Sequence, residues 1–201
     1  MTPYRVLDCQ NYDKINNGIL EYITTHTQLL TRDPRKDSTI QTQYCNFVDA
    51  KHFISNNPLL FAYFNELKLK LQDIYFTLAW EPTLGNRSRC PIHLDRPPVQ
   101  WKMNWPVLNM ENTAVRFFKL KDATQNINDF VTRTGIADSK DHDNYELPYE
   151  PFEETHRFRF NTKQPLIMNG LIPHDVHFYP DPQFPRIGMQ AMFFKEPVHL
   201  L

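Results

Sequence analysis

Cys90-Pro91-Ile92-His93-Leu94-Asp95-Arg96-Pro97-Pro98-Val99-Gln100-Trp101-Lys102-Met103-Asn104-Trp105-Pro106-Val107 is the stretch from which the fold is read. His93 and Asp95 stand two residues apart, and on an extended segment side chains two apart point to the same face. An imidazole and a carboxylate would converge there, as two ligands of a metal ion do. Trp101 to Val107 is rich in large apolar residues and reads as a buried strand, so the pair sits at the end of a rigid element. On its own the pair also fits a structural hydrogen bond, and a metal ion needs a third ligand.

The C-terminal part of the chain offers one. In Leu166-Ile167-Met168-Asn169-Gly170-Leu171-Ile172-Pro173-His174-Asp175-Val176-His177 an apolar strand turns at Asn169-Gly170 and re-enters as a second strand near His174. Arg186 then heads Arg186-Ile187-Gly188-Met189-Gln190-Ala191-Met192-Phe193-Phe194. On that strand Arg186, Gly188, Gln190 and Met192 share one face, and an arginine buried on a strand face requires an anion. His177 competes with His174 as the third ligand. Strand alternation puts Val176 on the face of His174 and His177 on the other.

Outward from these stretches, the chain of 201 residues reads as a single domain, 1–201, long enough to bury a core without disulfides. Its 22 basic and 23 acidic residues nearly cancel, which disfavours a nucleic-acid partner. Three cysteines, Cys9, Cys45 and Cys90, are odd in number and widely spaced, which suits a reducing intracellular (cytoplasmic) setting better than a disulfide scaffold. The start, Met1 to Gln10, carries no targeting pattern, and no run of 18 apolar residues occurs, so a soluble protein with no membrane partner is expected.

Residues 1–69 read as an N-terminal helical region. Ile15, Ile19, Leu20 and Ile23 recur at helical spacing within Asn11 to Leu30, and Asn57-Pro58 is a favourable start for a second helix with Leu60, Phe61, Phe64 and Leu67 as its buried stripe. Between them, Thr31 to Gln43 reads as a charged, solvated loop. From about residue 70 the chain is β-prone: Ile74–Trp80, Pro91–Asp95, Trp101–Leu108, Ala114–Leu120, His156–Phe160, Pro165–Met168, His174–Phe178 and Ile187–Phe194 are short candidate strands between Pro, Asn, Asp and Gly turns. This order predicts an antiparallel sandwich or barrel, a jelly roll, with the helices outside one sheet, so the class is mainly β with N-terminal helices (α+β). An acidic, weakly patterned insert at about 121–155 reads as a lid beside the pocket mouth, with His142 in it a solvated histidine.

His93-x-Asp95, then His174, then Arg186 on the last strand resemble the Fe(II)/2-oxoglutarate-dependent oxygenase superfamily over about Ile74 to Phe194. The resemblance implies a double-stranded β-helix core. It implies His93, Asp95 and His174 as ligands of Fe(II), Arg186 as the anchor for the distal carboxylate of the cosubstrate 2-oxoglutarate, and O2 as the oxidant. The implied reaction hydroxylates a C–H bond of a small molecule or a protein side chain, with release of succinate and CO2. The spacing to the arginine favours His174 over His177. Members often carry Ser or Thr two residues after that arginine, where this chain has Gly188. Asn104, beside the site, is a candidate for a further cosubstrate contact, its plainer role being a strand residue bonded to its neighbours.

Two other classes stay open at this level. One is a non-catalytic jelly-roll (cupin-like) module that binds a small acid or a metal, which Gly188 keeps in view. The other is a zinc site of Cys90, His93, Asp95 and His174, although Cys90 and His93 are an odd number apart and face oppositely on a strand. Trp80, Trp101 and Trp105 are candidates for an apolar pocket or for core.

Overall fold

The computed structural model describes residues 2–30, 43–79, 90–95, 101–130, 132–133, 145–160, 163–180, 183–195 and 197–200. Among them the chain forms strands β1 (Tyr4–Val6), β2 (Gln43–Val48), β3 (Leu71–Ala79), β4 (Cys90–Leu94), β5 (Trp101–Leu108), β6 (Thr113–Leu120), β7 (Thr132–Arg133), β8 (Tyr145–Glu146), β9 (Phe152–Arg159), β10 (Leu166–Asn169), β11 (His174–Phe178) and β12 (Arg186–Phe193). Helices α1 (Tyr12–Thr25), α2 (Ala50–Ser55) and α3 (Pro58–Glu66) precede β3. The strands make two antiparallel sheets, ordered β1-β10-β5-β12-β3-β2 and β7-β8-β4-β11-β6-β9. From β3 to β6 successive strands fall alternately in the first and second sheet.

Period-two alternation sorts the first sheet into two unlike faces. Trp101, Met103, Trp105 and Val107 of β5 and Ile187, Met189 and Ala191 of β12 are buried against Ile15, Ile19 and Ile23 of α1 and Leu60 and Phe64 of α3. Trp105 is fully buried, stacks on Tyr12 at 5.1 Å and donates its Nε1 proton to Asn16 Oδ1 at 3.1 Å. Each such large apolar side chain contributes about 1.5–3 kcal/mol on burial. The intervening residues of the same strands, Lys102, Asn104, Arg186, Gly188 and Gln190, turn to the second sheet. There Met168 and Leu166 meet Val115, Phe117, Phe158 and Phe160, which closes the two sheets on each other.

Several elements differ from the sequence expectation. The first helix ends at Thr25, and Thr27–Leu30 is a separate 3-10 turn. The Thr24 and Thr25 hydroxyls donate to Glu21 O, and His26 leaves helical geometry, so local side-chain bonding stops the helix early. In α3 the buried stripe is Leu60, Tyr63 and Phe64, while Phe61 is 50% exposed: the helix offers a narrow face to the core. Strand β9 begins at Phe152, inside the expected insert, with Leu147 and Phe152 buried beside Ile92 and Phe118. Residues 121–126 are exposed. The charged loop at 31–42, Trp80 and His142 lie outside the described residues. No helix among the described residues is long and apolar enough to cross a membrane.

Candidate metal centre

β4 and β11 are hydrogen-bonded neighbours, and His93 pairs directly with His174. Their rings lie 4.2 Å apart between centroids, tilted by 51°. Asp95 follows β4 by one residue, and its N–H donates to Gly170 O at 2.8 Å, so the turn before β11 holds the carboxylate in place. One donor atom from each of His93, Asp95 and His174 falls within 4.8 Å of the others. Gly170 permits this approach: a Cβ there would stand 2.8 Å from both Cβ and Cγ of Asp95.

The protonation of the group follows from its surroundings. His174 Nδ1 sits 2.8 Å from Ile172 O, and since a carbonyl only accepts, Nδ1 carries the proton and Nε2 presents its lone pair, 3.7 Å from Asp95 Oδ2. Burial, with His93 close by, pushes the His174 pKa down to about 3 against the pull of Asp95, so the ring is neutral at pH 7. Burial alone would raise the Asp95 pKa, but the charge of Lys102, with His174 and His93, outweighs it and holds the value at about 2. Lys102 Nζ lies 2.5 Å from Asp95 Oδ2, and both side chains are largely buried. An ionised carboxylate and two imidazoles with donor atoms this close form the donor set used for non-haem Fe(II). The residues present therefore fit such an ion.

Arg186 stands toward the other end of the same cavity, 3% exposed. Its Nε donates to Thr113 Oγ1 at 3.3 Å, while that hydroxyl donates to Met110 O at 2.7 Å, and the guanidinium lies 5.3 Å from the centre of the Phe178 ring. The bend before β12 is tied by Asn109, at φ 54°, whose Nδ2 donates to Pro185 O at 2.8 Å. Thr77, Lys102, Asn104 and Gln190 line the cavity between Arg186 and the histidines. Asn104 donates to Met168 Sδ, and Gln190 Oε1 accepts from Tyr75.

His177 is on the outer face of β11, edge-on to Tyr179 at 4.9 Å, away from the three clustered residues. Asp175 also faces outward, fully buried in a bidentate pair with Arg116 and accepting from the Tyr149 hydroxyl at 2.6 Å. The side chain of Cys90 lies outside the described residues. Trp101 and Trp105 belong to the core under the helices. Sequence reasoning passed over Lys102 and Thr77. The even spacing of Lys102 and Asn104 within a run of core residues was the available signal for the first.

Neither a protein-family model nor a curated protein matches the sequence. Among solved structures, a Pseudomonas putida prolyl-4-hydroxylase aligns at 12% identity over 96% of this chain and 93% of its own, with a TM-score of 0.47. The non-heme alpha ketoglutarate dependent epimerase SnoN from nogalamycin biosynthesis aligns at 14% identity over 95% of this chain and 78% of its own, with a TM-score of 0.53. The same epimerase in complex with Fe3+, alpha ketoglutarate and nogalamycin RO gives 12% identity, the same coverage and 0.51. The likeness to SnoN is one of fold.

Proposed function

We propose that this chain is an Fe(II)- and 2-oxoglutarate-dependent oxygenase built on a double-stranded β-helix. The observation that carries the proposal is the convergence of His93, Asp95 and His174 at one end of a cavity that holds buried Arg186 toward its other end. The alternation of strands between the sheets supports the fold assignment, and the fold shared with SnoN supports the class of chemistry.

His93, Asp95 and His174 would hold the iron. Arg186, fixed by Thr113 and Phe178, would pair its planar fork with the distal carboxylate of 2-oxoglutarate. Asn104, which lines the same cavity from β5, would add a contact to the cosubstrate. When bound, iron and 2-oxoglutarate supply the oxidising chemistry, with O2 as oxidant and succinate and CO2 as products. The chain supplies orientation. The primary substrate, a small molecule or a protein side chain, would be hydroxylated.

The test is succinate formation by purified protein given Fe(II), 2-oxoglutarate and O2, with Asp95→Ala as control. Succinate from the wild type and none from the variant is expected. A tightly bound small acid without succinate would favour a non-catalytic binding module instead.

A further inference from the structure

Gly188 and Thr77 face each other across β12 and β3 as directly paired residues, both turned to the cavity. A Cβ on residue 188 would lie 2.9 Å from Thr77 Oγ1, closer than a carbon and a hydroxyl oxygen pack. A side chain at 188 would therefore require the Thr77 hydroxyl to shift. The chain has placed the hydroxyl on the neighbouring strand.

Thr77 is 4% exposed, and its hydroxyl donates to Gly188 O over a long 3.3 Å. Arg186 pairs with Ala79, two residues along β3 from Thr77, so the hydroxyl sits one strand repeat, about 7 Å of backbone, from the arginine. It lies on the histidine side of that arginine, since the register runs from Arg186 through Gly188 toward Gln190 and Asn104. A hydroxyl rotates freely about its C–O bond, and a charged acceptor makes a stronger hydrogen bond than a distant carbonyl does.

We infer that Thr77 binds the distal carboxylate of the cosubstrate together with Arg186, supplying from the adjacent strand a hydroxyl that Gly188 lacks. The inference rests on Arg186 acting as proposed above.

The experiment is equilibrium binding of 2-oxoglutarate to protein loaded with Mn(II), which reads affinity without turnover. Thr77→Val keeps the shape and removes the hydroxyl, and it should weaken 2-oxoglutarate binding about five- to tenfold at unchanged Mn(II) affinity. Thr77→Ser should stay within about twofold. The exchange Thr77→Ala with Gly188→Ser should restore most of the affinity lost in Thr77→Ala, because the hydroxyl returns from the other strand. Gly188→Ser alone should bind less tightly than the wild type, because its Cβ meets Thr77. A packing role alone would not predict rescue by exchange. If Thr77→Val binds as the wild type does while Arg186→Met loses affinity, Thr77 has no part in binding and the anchor stands. If Arg186→Met also binds as the wild type does, or if the wild type takes Mn(II) but no 2-oxoglutarate, both the anchor and the role of Thr77 are overturned.

Discussion

Replacing Gly170 by alanine tests the candidate centre without substituting any of its three residues. The new Cβ would stand 2.8 Å from Cβ and Cγ of Asp95 and closer still to Oδ2, whereas carbon atoms pack best at about 3.5–4.0 Å. Asp95 must therefore retreat by about 1 Å, several times the roughly 0.2 Å tolerance of a metal–ligand distance. Its backbone N–H is held by Gly170 O at 2.8 Å, so the carboxylate cannot move away by shifting its own strand alone. Disturbing the support of a ligand typically lowers metal affinity about 10- to 100-fold, which is about 1.4–2.8 kcal/mol. Gly170 does not lie in the left-handed region, so the alanine backbone is unstrained and the effect is steric. Titration with Mn(II) or with anaerobic Fe(II) measures the affinity, and thermal unfolding in the presence of chelator measures the accompanying overpacking, about 1–3 kcal/mol. Wild-type metal affinity in a folded Gly170→Ala variant would refute the placement of Asp95 against this turn.

Two further outcomes follow from the cavity. Arg186→Met should weaken 2-oxoglutarate binding at least about tenfold with metal affinity retained, and Arg186→Lys should fall between, because an ammonium keeps the charge but loses the fork. The binding assay above reads both, and unchanged affinity in Arg186→Met would move the anchor elsewhere. In metal-free protein, the folded pKa of His174 is lowered from 6.5 to about 3, so from pH 6.5 down to 3 the unfolded chain binds a proton that the folded one refuses. Stability should fall with pH across that window, by up to about 1.4 kcal/mol per unit from this residue. Asp95, lowered from 3.8 to about 2, adds a loss in the same direction as pH falls through its own window. Urea unfolding in chelator at several pH values should show a flatter profile between pH 6.5 and 4 for His174→Gln, and an identical slope in the two proteins would count against a buried neutral imidazole.

The parts of the fold that the sequence revealed are those governed by strand periodicity. His93 and Asp95 share a face, His174 and His177 take opposite ones, and Arg186 falls on the inner face of β12, because a two-residue period does not drift along a short strand. The strand β9 was foreshortened because it is the edge of its sheet, where Glu153 to Arg157 can stay exposed and mask the pattern that Phe152 and Phe158 begin and end. The short strand β1 is defined by its pairing to β10 some 160 residues away in sequence, which no local pattern displays. Lys102 escaped notice because lysine is rarely buried, and only the carboxylate across the cavity explains its position. Thr77 escaped notice because a β-branched residue is the ordinary occupant of a strand.

The two faces of the first sheet divide the work of folding and binding. Its outer face, with α1 and α3, holds the larger apolar core, while its inner face turns Thr77, Lys102, Asn104, Arg186 and Gln190 to a cavity that Met110, Val115, Phe160 and Met168 also line. Ligands should therefore stabilise strongly and independently of the core. At free ligand about 100 times Kd, binding adds about 2.7 kcal/mol to the folded state. Ile19→Val, in the fully buried face of α1, removes one methylene on the far side of the sheet and should lower stability by about 0.5–1.5 kcal/mol. Ile19 lies in the core on the outer face of the sheet, so the two effects should add to within about 0.5 kcal/mol. Denaturant unfolding of wild type and Ile19→Val, each with and without Mn(II) and 2-oxoglutarate, measures all four terms. A ligand increment that shrinks in Ile19→Val by more than that margin would mean that the helices under the sheet shape the cavity and do not merely support it.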